Sequence, residues 1–155
     1  MAVTTIAPLT ESDRAHWLAL WRGYLEFYAE SLSDEVTDAT FARAVAGRDI
    51  HGAIARDADG RPVGIVHWLR HPSTWSTSDY CYLEDLFVAP DARGRGIARA
   101  LIAHVRAWAD AQGCEKVYWL TQETNATARA LYDRVATDTG FVHYEIARGE
   151  RPDGS

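Results

Sequence analysis

The chain has few of the features that mark secreted, membrane or nucleic-acid-binding proteins. Only two of its 155 residues are cysteines, Cys81 and Cys114, too few for the disulfide framework of a small secreted domain. No apolar run approaches the length of a transmembrane helix. Sixteen basic residues against twenty-two acidic residues give a net charge of −6, which argues against nucleic-acid binding because that function usually needs a basic face. The segment MAVTTIAPLTESD lacks the form of a signal peptide, so we expect a cytoplasmic protein with reduced thiols.

The composition is that of an ordinary globular domain. Apolar residues make up 47% of the chain and charged residues 25%, both within the range for soluble proteins. A chain of 155 residues is long enough to bury one core. We therefore predict a single domain over residues 1–155, and its acidic balance suits a cationic small substrate.

Alternating and helical apolar patterns divide the chain into strands and helices. Asp57–Gly60 has the composition of a hairpin turn, and Gly47 and Gly113 have the positions of helix ends. The predicted strands are Val3–Ala7, Ile50–Asp57, Pro62–His71, Tyr80–Val88, Lys116–Thr121 and Phe141–Ala147, and the predicted helices are Asp13–Tyr28, Ala39–Ala46, Gly96–Gln112 and Asn125–Val135. This order predicts a mixed α/β domain in which helices cover a central sheet.

The most informative segment is a glycine-containing turn between a strand and a helix. The strand end Leu86–Val88 leads into Pro90, and the run Arg93–Ala98 stands directly before a helical apolar pattern. The first N–H groups of a helix have no intrahelical partner and lie at the positive end of its dipole, so they bind phosphate. Glycines at 94 and 96 let the main chain approach an anion closely. We predict that this turn holds a pyrophosphate.

Two better-known phosphate-binding loops fit the segment poorly. A P-loop needs a lysine followed by serine or threonine after its last glycine, and here Ile97 and Ala98 follow. A dinucleotide-binding fingerprint needs a third glycine, which is absent or displaced here. A nucleotide-binding enzyme with a phosphate loop nevertheless remains an open alternative, and tight ATP binding would distinguish it.

Two motifs in the second half of the chain occur together in one known family. Arg93–Ala98 satisfies the pattern Arg/Gln-x-x-Gly-x-Gly/Ala, and further along Asn125 precedes Tyr132 by seven residues, with Gly140-Phe141 after them. In this order and spacing, residues 80–141 resemble the GNAT superfamily of acetyl-coenzyme A-dependent N-acetyltransferases. The strand Tyr82–Val88 is similar to that of the diamine (spermidine/spermine) acetyltransferases, and the chain also resembles the yeast histone and polyamine acetyltransferase-like group.

The resemblance implies a fold and a cofactor. The fold is an α/β (α+β) domain with a central mixed, mostly antiparallel, twisted sheet of six to seven strands, about four flanking helices and a splay at the cofactor site. The cofactor is acetyl-CoA: the main chain of residues 86–88 pairs with its pantetheine amides like an added strand, and the amides of residues 93–98 hold its pyrophosphate. The implied cofactor contacts are Leu86, Phe87, Val88, Arg93, Gly94, Arg95, Gly96, Ile97, Ala98, Asn125, Ala128 and Tyr132.

The resemblance also implies roles for two catalytic side chains. Tyr132 stands near the sulfur and donates a proton to the departing thiolate, although it could instead pack in the core. Glu84 is the candidate general base, because an alkylammonium with a pKa of about 10 must lose a proton before it attacks. A purely structural role for Glu84 is an equal alternative. Strand alternation predicts that Asp85 faces the opposite side of the sheet from Glu84.

Acidic and aromatic residues in the first half of the chain are candidates for binding the acceptor. Acidic residues cluster around the end of the first helix; a solvated surface is their ordinary explanation, but in the resembled fold this region lines the acceptor entrance. The predicted substrate contacts are Glu26, Tyr28, Trp75 and Glu84. His67 and His71 are four apart within a strand, where that spacing makes no metal pair, so we predict no metal site.

The sequence thus predicts an enzyme that transfers an acetyl group from acetyl-CoA to a primary amine of a small molecule, by direct attack in a ternary complex. A polyamine-like compound or an amino acid is the expected acceptor. A protein lysine or N-terminus is an alternative acceptor, and a non-catalytic CoA-binding or sensing module is an alternative function. From the family and the aromatic content we expect a homodimer, with neither nucleic acid nor membrane as a partner.

Overall fold

A computed structural model of the chain describes residues 4–150. These residues belong to two units, 1–119 and 120–155, which are described separately below. Val3, the first residue of the predicted strand Val3–Ala7, lies outside the described range, and the observed strand spans Thr5–Pro8.

The first unit is built on a mixed five-stranded sheet. Its strands lie in sequence order, with three antiparallel pairs followed by a parallel pair between the last two strands. The strands are β1 (Thr5–Pro8), β2 (His51–Arg56), β3 (Pro62–His71), β4 (Tyr80–Val88) and β5 (Lys116–Tyr118). The predicted bounds of β3 and β4 are confirmed, whereas β5 ends at Tyr118 instead of Thr121.

Three long helices accompany this sheet and a fourth belongs to the second unit. They are α1 (Arg14–Phe27), α2 (Asp34–Ala46), α3 (Ile97–Ala111) and α4 (Ala126–Val135). Within residues 4–150, no helix is both long and apolar enough to cross a membrane.

Helix α2 begins at Asp34, earlier than the predicted start at Ala39. Ser33 caps it, because its side-chain oxygen accepts a hydrogen bond from the Val36 amide at 3.2 Å. Two acidic residues in the first turn also favour this start, since they lie at the positive end of the helix dipole. The helix ends as predicted at Gly47, whose φ of 63° suits glycine.

The core of the first unit lies on both faces of the sheet. Successive β3 residues point to opposite faces, so His67 meets Trp17 of α1 while Trp68 meets Trp108 of α3. The predicted apolar stripe of α3 is buried along most of its length. Its buried members include Ile97, Leu101, Val105 and Ala109.

The predicted last strand, Phe141–Ala147, is wrong, and so is the expected total of six to seven strands. Residues 141–147 have no strand conformation, and the side chains of Phe141 and Tyr144 are 86% and 90% exposed. Their alternating pattern is compatible with a strand, but a strand also needs a neighbour for its main-chain hydrogen bonds. The described residues provide no such neighbour for this segment.

Candidate active site

Strand β4 loses its parallel neighbour halfway along its length. Its pairing with β5 consists of three residue pairs and ends at Tyr82 and Tyr118. Beyond that point, within residues 4–150, β4 pairs only with β3. Leu86, Phe87 and Val88 lie beyond the last of these pairs, where the described part of the first unit gives β4 no ladder partner on its β5 side; the splay itself stays a prediction. This is the arrangement that an added, strand-like ligand needs.

The glycine turn that follows β4 has the geometry of an anion site. Gly94 and Gly96 have φ values of 80° and 78°, and a Cβ placed on either would meet no atom within 4 Å. The 15-residue helix α3 begins directly after the turn at Ile97, and Gly96 offers no side chain to cap its first amides. Open space, two glycines and unpaired helix N–H groups together fit the diphosphate of acetyl-CoA.

The two arginines of this turn have different surroundings. The Nε of Arg93 donates a hydrogen bond to the Val88 carbonyl at 3.3 Å, and its guanidinium lies over the rings of Phe27 and Phe87, 5.4 and 5.8 Å from their centroids. Arg95 has an exposed side chain whose only close contact is a 3.5 Å hydrogen bond from Nη2 to the main-chain oxygen of residue 91. Arg93 therefore fastens the turn to the end of β4, while Arg95 remains largely in solvent.

A β-bulge changes the direction of the acidic pair on β4. Leu83 pairs with Trp68 and Asp85 with His67, so Glu84 is an extra residue with no partner of its own on β3. Strict alternation, the premise for placing Asp85 opposite Glu84, therefore fails at this point. The charges of both carboxylates act on Tyr24 of α1, whose pKa they raise in addition to the larger effect of burial.

The two carboxylates differ in their partners. Asp85 accepts hydrogen bonds from the Tyr24 hydroxyl at 2.6 Å and from Nδ1 of His67 at 3.0 Å. Glu84 has an exposed side chain and no hydrogen-bond partner within the described part of the first unit. The pKa of Glu84 is nevertheless raised. The main cause is partial burial, which disfavours the charged form, and the second is the negative charge of Asp85. Glu84 is thus an available and more basic carboxylate.

Tyrosines from three elements lie around Glu84. Burial raises the pKa of Tyr82 to about 12, with the charge of Glu84 as the second cause. The Tyr82 ring contacts that of Tyr118 on β5, with 4.9 Å between centroids. On α1, Tyr28 contacts Tyr24 edge-on at 5.1 Å. The predicted substrate residue Tyr28 therefore lies on the same side of the sheet as the acidic pair.

The other predicted substrate residues lie on exposed surface of the first unit. Glu26 is exposed on α1, and Trp75 is 86% exposed in the loop between β3 and β4. Part of the acidic cluster nearby has a structural function, because Asp34 and Glu35 form the first turn of α2 and Asp38 forms an ion pair with Arg14.

The second unit contains the remaining predicted site residues on one helix. Asn125 directly precedes α4, and its side chain does not cap the helix. Ala128 and Tyr132 are four residues apart, which puts them on the same side of α4, and both are partly buried. Their predicted contacts with the cofactor stay predictions.

The described residues contain no cluster of three or more histidine, cysteine, aspartate or glutamate side chains that could hold a metal ion. His67 and His71, the pair weighed in the sequence, instead form hydrogen bonds with protein groups. The partner of His71 is the Tyr118 hydroxyl, 2.6 Å from its Nε2.

Sequence reasoning missed the connections of the acidic pair. Asp85, Tyr24, His67 and Trp17 come from three different elements, and no local pattern joins them. The bulge at Glu84 depends on the pairing of β4 with β3, which a single sequence does not display.

Comparison with known proteins decides the family. The sequence profile described as "Acetyltransferase (GNAT) family" matches residues 17–136. The chain belongs to the GNAT family of acetyltransferases. It is 34% identical to the D-amino-acid N-acetyltransferase HPA3 of Saccharomyces cerevisiae, over 90% of this chain and 88% of that protein. It is 27% identical to the thialysine N-epsilon-acetyltransferase of Caenorhabditis elegans, over 84% of this chain and 80% of that protein.

Solved structures agree on the fold. The aminoglycoside N-acetyltransferase AAC(6')-Iy, in complex with CoA, superimposes with a TM-score of 0.82 at 22% identity, over 96% of this chain and 97% of that one. The ribosomal-protein-alanine N-acetyltransferase of Brucella melitensis biovar Abortus 2308 gives a TM-score of 0.79 at 23% identity, over 94% of this chain and 99% of that one. The GNAT protein described here is an acetyl-CoA-dependent N-acetyltransferase, as the family and the yeast relative show, and its predicted family and cofactor are confirmed.

Proposed function

We propose that this GNAT enzyme acetylates a primary amine of a small molecule by direct attack in a ternary complex. The observation that carries the proposal is the end of β4, where a glycine turn suited to a diphosphate follows a strand whose pairing with β5 has ended and which bears an available carboxylate, Glu84. The relatives act on D-amino acids and on thialysine, which supports a small amine as the acceptor here.

The cofactor is held mainly by main-chain groups in this proposal. The amides of residues 93–98 bind the diphosphate, and the open side of residues 86–88 pairs with the pantetheine arm. From the resemblance, Asn125, Ala128 and Tyr132 of the second unit supply further contacts. When bound, acetyl-CoA supplies the activated acetyl group. The family match spans residues 17–136, which supports one acetyltransferase domain that includes both units.

Glu84 takes the proton that the acceptor must lose. An alkylammonium has a pKa of about 10, so at neutral pH it needs a base before its nitrogen becomes nucleophilic. Glu84 is exposed and more basic than an ordinary glutamate, which supports this role. From the resemblance, Tyr132 donates the proton that the leaving thiolate receives.

The thiols support direct transfer to the amine. Burial raises the pKa of Cys81 to about 12, so this thiol is almost never ionised at neutral pH and is a poor nucleophile. The pKa of Cys114 is also raised by burial. An acetyl-cysteine intermediate is therefore unfavourable at either position.

The acceptor in this proposal is a polyamine-like compound or an amino acid. Tyr28 and Glu84 lie on the same side of the sheet, and Glu26 and Trp75 offer an acidic and an aromatic contact at the surface. Cations bind to such carboxylates and aromatic faces. The family and the aromatic content further support a homodimer, which sedimentation velocity on the purified protein tests.

Thiol release from acetyl-CoA tests the function. The purified protein is assayed with a D-amino acid, thialysine, a diamine, a polyamine and a lysine-containing peptide, and each product is identified by mass. We expect turnover with at least one small amine, and loss of turnover with retained CoA binding in Glu84→Gln and Tyr132→Phe. Tight CoA binding with no release above background for any amine would contradict the proposal and favour a CoA-sensing module. Preferential thermal stabilisation by ATP would favour the nucleotide-enzyme alternative.

A further inference from the structure

A continuous chain of hydrogen bonds runs from the core of the first unit to the acidic pair on β4. The indole Nε1 of Trp17 donates to Nε2 of His67 at 2.9 Å, Nδ1 of His67 donates to Oδ2 of Asp85 at 3.0 Å, and the Tyr24 hydroxyl donates to Oδ1 of Asp85 at 2.6 Å. Trp17 and His67 are 0% and 1% exposed. We call these four residues the Trp17–Tyr24 chain.

The partners of His67 fix its tautomer. An indole nitrogen only donates, so Nε2 of His67 must be the unprotonated acceptor and Nδ1 must hold the proton. With Nε2 protonated, the buried Trp17 indole would lose its acceptor. His67 is therefore a neutral donor to Asp85, and its apparent ion pair with Asp85 is a hydrogen bond.

Both carboxylate oxygens of Asp85 are occupied in this arrangement. One accepts a hydrogen bond from His67 and the other from Tyr24. With 14% of its side chain exposed and both oxygens engaged, Asp85 is poorly placed to accept a proton from a substrate. Its immediate neighbour Glu84 has the opposite properties, because it is exposed and has no hydrogen-bond partner within the described part of the first unit.

No lysine or arginine in the described part of the first unit forms an ion pair with Glu84 or Asp85. The titratable groups whose electrostatic interactions link them to Glu84 or Asp85 come from α1 and its C-terminal end, β3, β4 and β5; they are phenols and the His67 imidazole, and of these His67 lowers the pKa of Glu84. They are Tyr24, Tyr28, His67, Tyr82 and Tyr118. The bulge thus presents two adjacent carboxylates, and the charge of Asp85 raises the pKa of its neighbour Glu84.

We propose that Trp17, His67 and Tyr24 are positioning residues that hold Asp85 as a fixed negative charge beside Glu84, so that the two carboxylates have separate roles in binding and deprotonating a cationic acceptor. This inference rests on the proposed amine acetylation. Asp85 attracts the ammonium group through space, and Glu84 takes its proton. In that step the N–H bond breaks, an O–H bond forms on Glu84, and the electron pair stays on nitrogen for attack on the acetyl carbon.

The test is the pH dependence of kcat/KM for the acceptor at saturating acetyl-CoA, in the unmodified enzyme and in Asp85→Asn. Without its negative neighbour, Glu84 loses its proton at lower pH, so the acidic limb of the profile moves to lower pH. The plateau falls about ten- to a hundred-fold through a higher KM. The matched control is Asp110→Asn, an equal charge change at an exposed position of α3, which leaves the profile in place. A lower plateau with an unmoved acidic limb would make Asp85 structural and overturn the proposal.

A second pair of variants decides the case if Asp85→Asn does not fold. His67→Asn and His67→Leu both remove the acceptor of the Trp17 indole, but only the asparagine side chain offers an N–H near the position of Nδ1. We expect His67→Asn to retain a KM for the amine near that of the unmodified enzyme and His67→Leu to raise it about tenfold. An equal KM in both variants would overturn the role of His67.

The outcomes also separate this proposal from the function on which it rests. If the unmodified enzyme turns over no amine, the proposed function fails and this inference fails with it. If it turns over an amine, but the acidic limb does not move in Asp85→Asn and the two His67 variants have the same KM, the function stands and the positioning role is wrong.

Discussion

His67 and Trp68 are neighbours on β3, but they lie on opposite faces of the sheet in surroundings of opposite character. Both ring nitrogens of His67 form hydrogen bonds, to Trp17 and Asp85. The indole nitrogen of Trp68 is buried and has no hydrogen-bond partner among the described residues. Trp68 instead contacts Trp108 with 5.7 Å between ring centroids. Both faces pack aromatic rings, but only the His67 face adds a chain of hydrogen-bond donors and acceptors to that packing.

The difference shows where this fold can support proton transfer. On the Trp68 face, burial lowers the pKa of both His51 and His104, so these imidazoles stay neutral and act as packing groups. On the His67 face, the chain of hydrogen bonds ends at the carboxylate of Asp85, whose neighbour along β4 is Glu84. Packing alone stabilises a core, whereas chemistry needs charges whose positions are fixed by satisfied partners.

The largest effect should come from the His67 face, at its exposed end. Replacing Glu84 by Gln removes the proposed base and keeps its shape, so kcat/KM should fall about a hundred-fold or more. Because the pKa of Glu84 is raised, the activity of the unmodified enzyme should rise with pH, and this rise should begin above the ordinary pKa of a glutamate. The loss in Glu84→Gln should be greatest at pH values above the pKa of Glu84 but well below that of the amine, where the base is ionised and free amine is scarce. A rate profile identical to that of the unmodified enzyme would make Glu84 structural.

A smaller effect, on the free energy of unfolding, should come from the buried part of the His67 face. His67→Leu leaves the Trp17 indole and the Asp85 carboxylate each short of a partner, and we expect a loss of about 3 kcal/mol in the free energy of unfolding. Urea denaturation at neutral pH measures it. A loss below about 1 kcal/mol would show that the hydrogen-bonded chain contributes little to folding.

An ion pair at the start of α1 offers a pH-dependent contrast. Burial alone would raise the pKa of Asp13, but the Thr10 amide and the Arg56 guanidinium outweigh it and lower that pKa. A lowered pKa means that stability is fully present above the unfolded value of 3.8 and is lost as the pH falls through the folded value. Asp13→Asn should therefore cost about 2 kcal/mol at pH 7 and progressively less below pH 4. A cost that does not vary with pH would refute the charge argument.

The smallest effect should come from the Trp68 face. Trp68→Phe removes an indole nitrogen that has no partner in the described part of the chain, so only packing is lost, and we expect about 1 kcal/mol of destabilisation. The KM for the amine should not change, because the proposed acceptor contacts Tyr28 and Glu84 lie on the other side of the sheet. A change in KM comparable with that of His67→Leu would remove the distinction between the two faces.

Local patterns were sufficient to predict most elements and the glycine turn before α3. The alternation of β4, the apolar stripe of α3 and the glycines at 94 and 96 are all encoded within a few residues of each other. The early start of α2 was encoded too, in the cap at Ser33, but an acidic segment gives no apolar period from which to predict a helix.

Features that depend on pairing between distant segments could not be predicted. Asp85 was expected to face away from Glu84, yet the bulge arises only from the register of β4 against β3. His67 is an ordinary core position in the sequence, and its role follows from bonds to residues 50 positions before and 18 positions after it. The segment 141–147 failed as a predicted strand for the same kind of reason, since alternation does not supply a pairing partner.

A structure of the enzyme in complex with CoA tests the central claim most directly. We expect the diphosphate oxygens to accept hydrogen bonds from main-chain amides between Arg93 and Ala98, at the two glycines with left-handed φ values, and the pantetheine arm to lie along the open side of β4. A diphosphate bound elsewhere on the protein, with this turn empty, would contradict the assignment of the site and the mechanism built on it.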